Sequence, residues 1–231
     1  MLASVRSAEE ALFALQAGAD LIDAKEPSNG ALGSVSRETL RAIVAAVAGR
    51  RPVSATVGDL PLELEPLRNA VRSNAECGAD LVKIGIFERE FPLAQVQALP
   101  RALAGVPLIA VLFADRSPPL HVAPKLVAAG WHGVMLDTAD KLGGSLRDWT
   151  DETWLAGFVQ QARASGLLVG LAGSLREDDV RPLVRLDPDY LGFRGALCAG
   201  SDRDECLSPD RVRAIRALLD RASDQRPHSS L

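Results

Sequence analysis

Eight short apolar runs, each followed by a segment of helical period, predict an α/β fold, a single-domain (β/α)8 TIM barrel. A second observation is a phrase repeated at the helix-to-strand junctions: Ala17-Gly18-Ala19-Asp20, Cys77-Gly78-Ala79-Asp80 and Ala129-Gly130-Trp131-His132. Each sets a glycine just past a helix, where a left-handed C-cap is accessible without a Cβ penalty. Strands that alternate with helices imply parallel pairing and right-handed crossovers. A third is that polar residues gather at the ends of the apolar runs, where barrels of this kind build their sites. A doubly wound open sheet is the alternative, but no glycine-rich dinucleotide fingerprint follows the first run.

Taken in order, the first run is Leu2–Val5, with a helical pattern over Ala8–Gln16. Leu21–Lys25 precedes a helix at Arg37–Val47; Pro52–Val57 precedes one across Glu63–Cys77. Asp80–Gly85 leads to a helix within Pro92–Ala104, and Pro107–Phe113 to one in His121–Ala129. His132–Asp137 is followed by a polar loop and a helix across Asp151–Ser165. Leu167–Leu171 precedes a helix from Glu177, and Tyr190–Phe193 precedes the last, Ser208–Asp220. The expected domain spans residues 1–223. The polar, proline-containing end, residues 224–231, reads as a flexible tail.

Composition narrows the function. The 231 residues are 47% hydrophobic and 24% charged, with a net charge of −4 and no basic run, which argues against a nucleic-acid binder. No apolar stretch approaches the ~20 residues needed to span a bilayer, and no secretory leader is visible at the start. Cys77, Cys198 and Cys206 lack metal-ligand spacing and read as free thiols of a cytoplasmic protein. Neither a metal nor a cofactor is expected. Trp131, Trp149 and Trp154 with Phe158 could contribute to a subunit interface, although core or barrel packing explains them better, and a homo-oligomer is expected from how commonly such enzymes assemble.

The stretch Leu21–Ser34, LIDAKEPSNGALGS, organises the rest. Asp23 and Lys25 lie two apart at a strand end and so share one face. Lys83 sits among Leu81, Val82, Ile84 and Ile86, where a lysine must face the barrel mouth or destabilise the fold. Asp137 ends the sixth run and Lys141 follows in the loop. Asp59, after Gly58, is explained by turn chemistry alone. At the seventh and eighth run ends, Gly173-Ser174 and Gly192-Phe193-Arg194-Gly195 offer backbone N–H groups to an anion where barrels frequently bind phosphate. Arg194 adds a candidate bidentate contact. His121, His132 and His228 play no part in this reading.

Lysines and carboxylates at strand ends, opposite a phosphate site, suggest imine chemistry. An amine nucleophile must be neutral, and a neighbouring cation lowers its pKa. From the residues alone the nucleophile is Lys25 assisted by Lys83, or the reverse. Asp137 is placed to shuttle protons. The reading reaches a lyase or aldolase of a phosphorylated small carbonyl compound.

The motifs Asp23-Ala24-Lys25-Glu26-Pro27, Gly30-Ala31-Leu32-Gly33 and Val53–Asp59 resemble the (5-formylfuran-3-yl)methyl phosphate synthase family. So do Asp80–Gly85, Met135-Leu136-Asp137-Thr138-Ala139-x-Lys141, Leu171–Ser174 and Gly192-x-Arg194-Gly195-Ala196-x-Cys198. The resemblance runs in order over nearly the whole chain. It implies a TIM-barrel lyase that joins two molecules of glyceraldehyde 3-phosphate for methanofuran biosynthesis in one-carbon metabolism. It implies Lys25 as the imine-forming lysine, with Asp23, Lys83, Asp137 and Lys141 as catalytic companions. The rival readings are another Schiff-base aldolase, a phosphosugar decarboxylase, or a non-catalytic phosphometabolite-binding protein. The decarboxylases of the orotidine monophosphate group share Asp-x-Lys but add an aspartate three residues on, where this chain has Ser28.

Overall fold

The computed structural model describes residues 1–103 and 105–224. Eight parallel strands close into a barrel in sequence order, β1 pairing with both β2 and β8. They are β1 (Leu2–Val5), β2 (Leu21–Ala24), β3 (Val53–Thr56), β4 (Leu81–Ile86), β5 (Leu108–Phe113), β6 (Gly133–Asp137), β7 (Leu168–Leu171) and β8 (Tyr190–Phe193). The helices are α1 (Ala8–Gln16), α2 (Arg37–Val47), α3 (Leu64–Glu76), α4 (Leu93–Ala102), α5 (Ala123–Ala129), α6 (Leu146–Trp149), α7 (Glu152–Ala164), α8 (Glu177–Val184) and α9 (Pro209–Asp224). Every predicted unit is present. The short helix α6 is additional; Ser145 and Asp148 cap it, and the Leu146 N–H donates to the Gly173 carbonyl at 2.9 Å. Asp224, the first residue of the expected tail, closes α9, and the other residues of that tail, 225–231, lie outside the described residues.

Side-chain alternation along the strands sorts the core into two shells. Outward residues such as Ala3, Ile22, Ala55, Val82, Leu112, Val134 and Leu191 pack under the helices through Ala14, Leu40, Ile43, Leu67, Phe158 and Ile215. Inward residues form a separate apolar plug of Leu2, Leu21, Leu81, Ile109, Val111, Met135 and Tyr190. Above that plug the inward positions of β1 to β4 and β6 turn polar, while Phe113 and Ala172 stay apolar, and the polar positions set the floor of the site.

The three junction glycines adopt positive φ: Gly18 at +86°, Gly78 at +93° and Gly130 at +99°. Side-chain caps set the helix starts, with Ser7 accepting from the Glu10 N–H, Ser36 from Thr39 and Asp151 from Trp154. Trp131 belongs to the core, its indole N–H donating to the Val96 carbonyl at 2.9 Å, and Trp154 stacks on Phe158 with ring centroids 5.5 Å apart. All three cysteines are free. Among the described residues, no helix is long and apolar enough to cross a membrane.

Candidate active site

The site forms where inward-facing polar residues replace the apolar plug at the carboxyl ends of the strands. Its lower tier is built by register. Ser4 lies opposite Asp23 across β1 and β2, and Asp23 opposite Ser54 across β2 and β3. Both hydroxyls donate to the carboxylate, Ser4 Oγ at 2.9 Å and Ser54 Oγ at 2.7 Å. Lys83 Nζ, from β4, reaches Asp23 Oδ1 at 2.6 Å. Asp23 is fully buried and Lys83 is 2% exposed, so the pair satisfies a charge that burial would otherwise penalise heavily.

The upper tier holds Lys25, Asp137 and Lys141. Lys25 extends β2 by one residue, its N–H donating to the Val5 carbonyl at 3.0 Å, and so keeps the inward phase of Asp23. Its Nζ lies 3.7 Å from Asp137 Oδ2, while Lys141 Nζ sits 2.5 Å from Asp137 Oδ1. The Thr138 N–H also donates to Asp137 at 2.8 Å. Burial lowers the Lys25 pKa; Asp137 opposes that shift and the Lys141 and Lys83 charges add to it, leaving it at about 7 rather than 10.5. Burial alone would raise Asp137, but the Lys141 and Lys25 charges more than offset it and hold the carboxyl well below its usual range. The result is a lysine able to lose its proton near neutrality beside a carboxylate that stays ionised.

Two loops fix this tier. The β2 loop is clamped by Asp59, whose carboxylate accepts from the Ala31 N–H at 2.9 Å and the Leu32 N–H at 2.7 Å. The Glu26 N–H donates to the Gly33 carbonyl at 2.8 Å, and a Cβ at Gly33 would lie 2.2 Å from the Glu26 carbonyl oxygen. Only glycine permits that approach. The β6 loop hangs on Asp115, which accepts from the Ala139 and Asp140 N–H groups, each at 2.9 Å. Ser174 Oγ donates to the Lys141 carbonyl at 3.1 Å.

All five expected catalytic residues, and the expected phosphate-binding residues, line one cavity of about 760 Å³ at the barrel mouth. Arg194 requires a correction. Its Nε donates to the Arg203 carbonyl, its Nη1 to the Ser4 carbonyl and to Glu10 Oε2 at 2.6 Å, and its Nη2 to Glu10 Oε1 and the Glu205 carbonyl. Those five contacts engage every N–H of a guanidinium, so Arg194 has none left for a phosphate. Ser174 likewise uses its hydroxyl proton as a tether, while Gly173, Gly192 and Gly195 remain at the cavity wall. Arg176, Arg203 and Arg211 also line the cavity and are not singled out by the sequence; they lie in polar stretches that read as solvated surface. Among the described residues, no group of three or more His, Cys, Asp or Glu side chains is arranged to hold a metal ion.

Comparison with known proteins bears on the fold and on the family. Solved barrels share the fold at low identity. Phosphoribosyl anthranilate isomerase from Thermus thermophilus has a TM-score of 0.68 at 18% identity, covering 95% of this chain and 98% of its own. KGPDC from Streptococcus mutans has a TM-score of 0.63 at 15% identity, covering 96% of this chain and 97% of its own. At the level of sequence, a chain of Methylorubrum extorquens, provisionally named a (5-formylfuran-3-yl)methyl phosphate synthase, is 46% identical over 94% of this chain and 91% of its own. The (5-formylfuran-3-yl)methyl phosphate synthases of Methanosarcina mazei and Methanothermobacter thermautotrophicus are 33% and 32% identical, covering 94% and 95% of this chain and 97% and 98% of their own. The model of the 4-HFC-P synthase family matches residues 1–216, and the chain belongs to the (5-formylfuran-3-yl)methyl phosphate synthase family.

Proposed function

We propose that this enzyme condenses two molecules of glyceraldehyde 3-phosphate through an imine on Lys25, yielding (5-formylfuran-3-yl)methyl phosphate with loss of one phosphate and two waters. The observation that carries this reading is Lys25 itself, a buried lysine with its pKa near 7, set between an ionised carboxylate and two further lysines. At neutral pH a large fraction is the free amine that imine formation requires.

In this scheme Lys25 Nζ forms a C=N bond with the aldehyde carbon of one glyceraldehyde 3-phosphate, whose oxygen leaves as water. Loss of the proton on C2, for which Asp137, held ionised, is the base within reach, and expulsion of the C3 phosphate leave an enol imine whose terminal carbon is the nucleophile. That carbon attacks the carbonyl carbon of the second molecule, isomerised to its ketone form, and the ketone oxygen takes a proton from Lys141 or Lys83. Closure of the second molecule's primary hydroxyl onto the new carbonyl, loss of two waters and hydrolysis of the imine produce the furan and return Lys25. We read the product as a precursor for methanofuran assembly in one-carbon metabolism, made in the cytoplasm. The reaction is that of a lyase and calls for no added cofactor.

The test is incubation of the purified protein with glyceraldehyde 3-phosphate, following the furan chromophore and released phosphate, with parallel borohydride treatment and intact-mass measurement. A chromophore, stoichiometric phosphate and an adduct absent from Lys25→Ala are expected. No chromophore and no adduct in the native protein would sink the reading. An adduct mapped to Lys83 would reassign the nucleophile.

A further inference from the structure

The geometry points to Arg203, rather than Arg194, as the guanidinium that grips a substrate phosphate, with Arg194 as the residue that positions it. The inference deepens the proposed function and rests on that reading for the identity of its ligand, a phosphorylated three-carbon carbonyl compound.

Arg203 stands on the loop between β8 and α9, beside the glycine wall of the cavity. A Cβ built on Gly195 would lie 3.9 Å from both the Cβ and the N of Arg203. From there the side chain crosses to the loop that carries Lys25, where Nη2 donates to the Pro27 carbonyl at 2.9 Å and the Gly30 carbonyl at 3.0 Å. Those two bonds occupy both protons of Nη2. The three N–H donors of Nε and Nη1 meet no protein acceptor among the described residues, and no carboxylate forms an ion pair with Arg203 there. The acids nearby are otherwise engaged or outward: Asp202 accepts from the Asp204 N–H at 3.0 Å, Glu177 lies 3.9 Å from Arg211, and Asp178 is exposed. Arg203 is partly buried and lines the cavity. A half-anchored guanidinium with donors left over is preorganised for an oxyanion, because little side-chain freedom remains to be lost on binding.

The loop is held in place from below. Arg194 donates to the carbonyls of Arg203 and Glu205, and Glu10, buried in α1, anchors Arg194 while accepting from the Leu207 N–H at 3.2 Å. Arg194 therefore acts on the ligand through the main chain of Arg203. The glycine wall and Arg203 together form one phosphate site, and its contact with the Lys25 loop couples phosphate binding to the placement of the nucleophile.

Two measurements on the wild-type protein, Arg203→Gln and Arg203→Lys decide this. In calorimetric titration with inorganic phosphate, Arg203→Gln should bind about ten- to hundred-fold more weakly, with partial recovery in Arg203→Lys. An unchanged phosphate affinity overturns the assignment. In borohydride trapping, the glyceraldehyde 3-phosphate concentration for half-maximal adduct should rise by a similar factor in Arg203→Gln, well beyond any change seen with unphosphorylated glyceraldehyde. An equal loss with both aldehydes overturns it, because the defect would then be structural. A wild-type protein that binds phosphate through Arg203 yet traps neither aldehyde would sustain the anion site and remove the imine reading instead.

Discussion

Lys83 Nζ and Asp23 Oδ1 meet at 2.6 Å inside the barrel, and neither side chain is more than 2% exposed. Two serines from the flanking strands complete the carboxylate, so the pair behaves as one hydrogen-bonded unit. Removing one partner should strand the other charge. Asp23→Asn is expected to lower unfolding free energy by about 3–5 kcal/mol in denaturant titration. The double variant Asp23→Asn/Lys83→Met should recover most of that loss without recovering activity. A double variant no more stable than the single would contradict the pairing.

The pH profile of imine formation follows from Lys25. Its amine is neutral above a pKa of about 7, so the trapping rate should rise through pH 7 and level off above it. Lys141 is one of the cations that lower this pKa, and Lys141→Met should move the midpoint upward. Stopped-time trapping across a buffer series reads both values. A midpoint unmoved by Lys141→Met would show that the Lys141 charge does not help to set it.

The same shift carries a stability consequence of definite sign. Between pH 7 and 10.5 the unfolded chain holds a proton on Lys25 that the folded chain has lost, so wild-type stability rises with pH in that window. Below pH 7 both forms are protonated and this contribution is flat. Lys25→Met lacks it, and its stability relative to wild type should therefore be greatest below pH 7 and decline toward pH 10.5. Thermal unfolding of both proteins over this range checks the slope.

Two glycines predict opposite outcomes. Gly33→Ala would press a Cβ to 2.2 Å from the Glu26 carbonyl, forcing the Lys25 loop to shift, and should lower both stability and trapping. Gly157→Ala, in α7, meets only Leu120 at 3.6 Å, an ordinary contact, and should stabilise the helix by roughly 0.5–1 kcal/mol. Equal destabilisation by the two substitutions would refute this reading of the loop.

The sequence discloses the barrel and the charged residues of its mouth because strand alternation is written in local periodicity, whereas Ser4 and Ser54, which complete the Asp23 carboxylate, are not legible there. Asp23, Lys25 and Lys83 violate the apolar character of their own strands, and strand phase alone aims them inward. Asp59 is readable as a loop residue, though not as the clamp on the Ala31 and Leu32 N–H groups. Arg194 misleads for a different reason. Its partner Glu10 lies on the first helix and faces it only when β8 closes against β1. Arg203 escapes notice because Ser-Asp-Arg-Asp-Glu reads as solvated loop, and nothing local reveals that its side chain crosses to the Pro27 carbonyl. Short-range pattern reports which face a residue occupies; it does not report which distant group is waiting there.

The closure of the barrel has a further implication. Among the described residues β8 is in register with β7 at Gly170↔Tyr190 and Leu171↔Leu191 and with β1 at Leu2↔Gly192 and Ala3↔Phe193, two pairs on each side, whereas β4 and β5 pair from Val82↔Leu108 to Ile86↔Leu112. Arg194 and Arg203 reinforce this thin joint with side-chain bonds to Ser4, Glu10, Pro27 and Gly30. Amide protons along β8 should thus exchange through smaller, more frequent openings than those of β4 and β5. An anion seated against Arg203 would rivet that joint shut, and exchange along β8 should slow as ligand concentration rises past its dissociation constant. Barrel closure and substrate capture would then be two readings of one equilibrium.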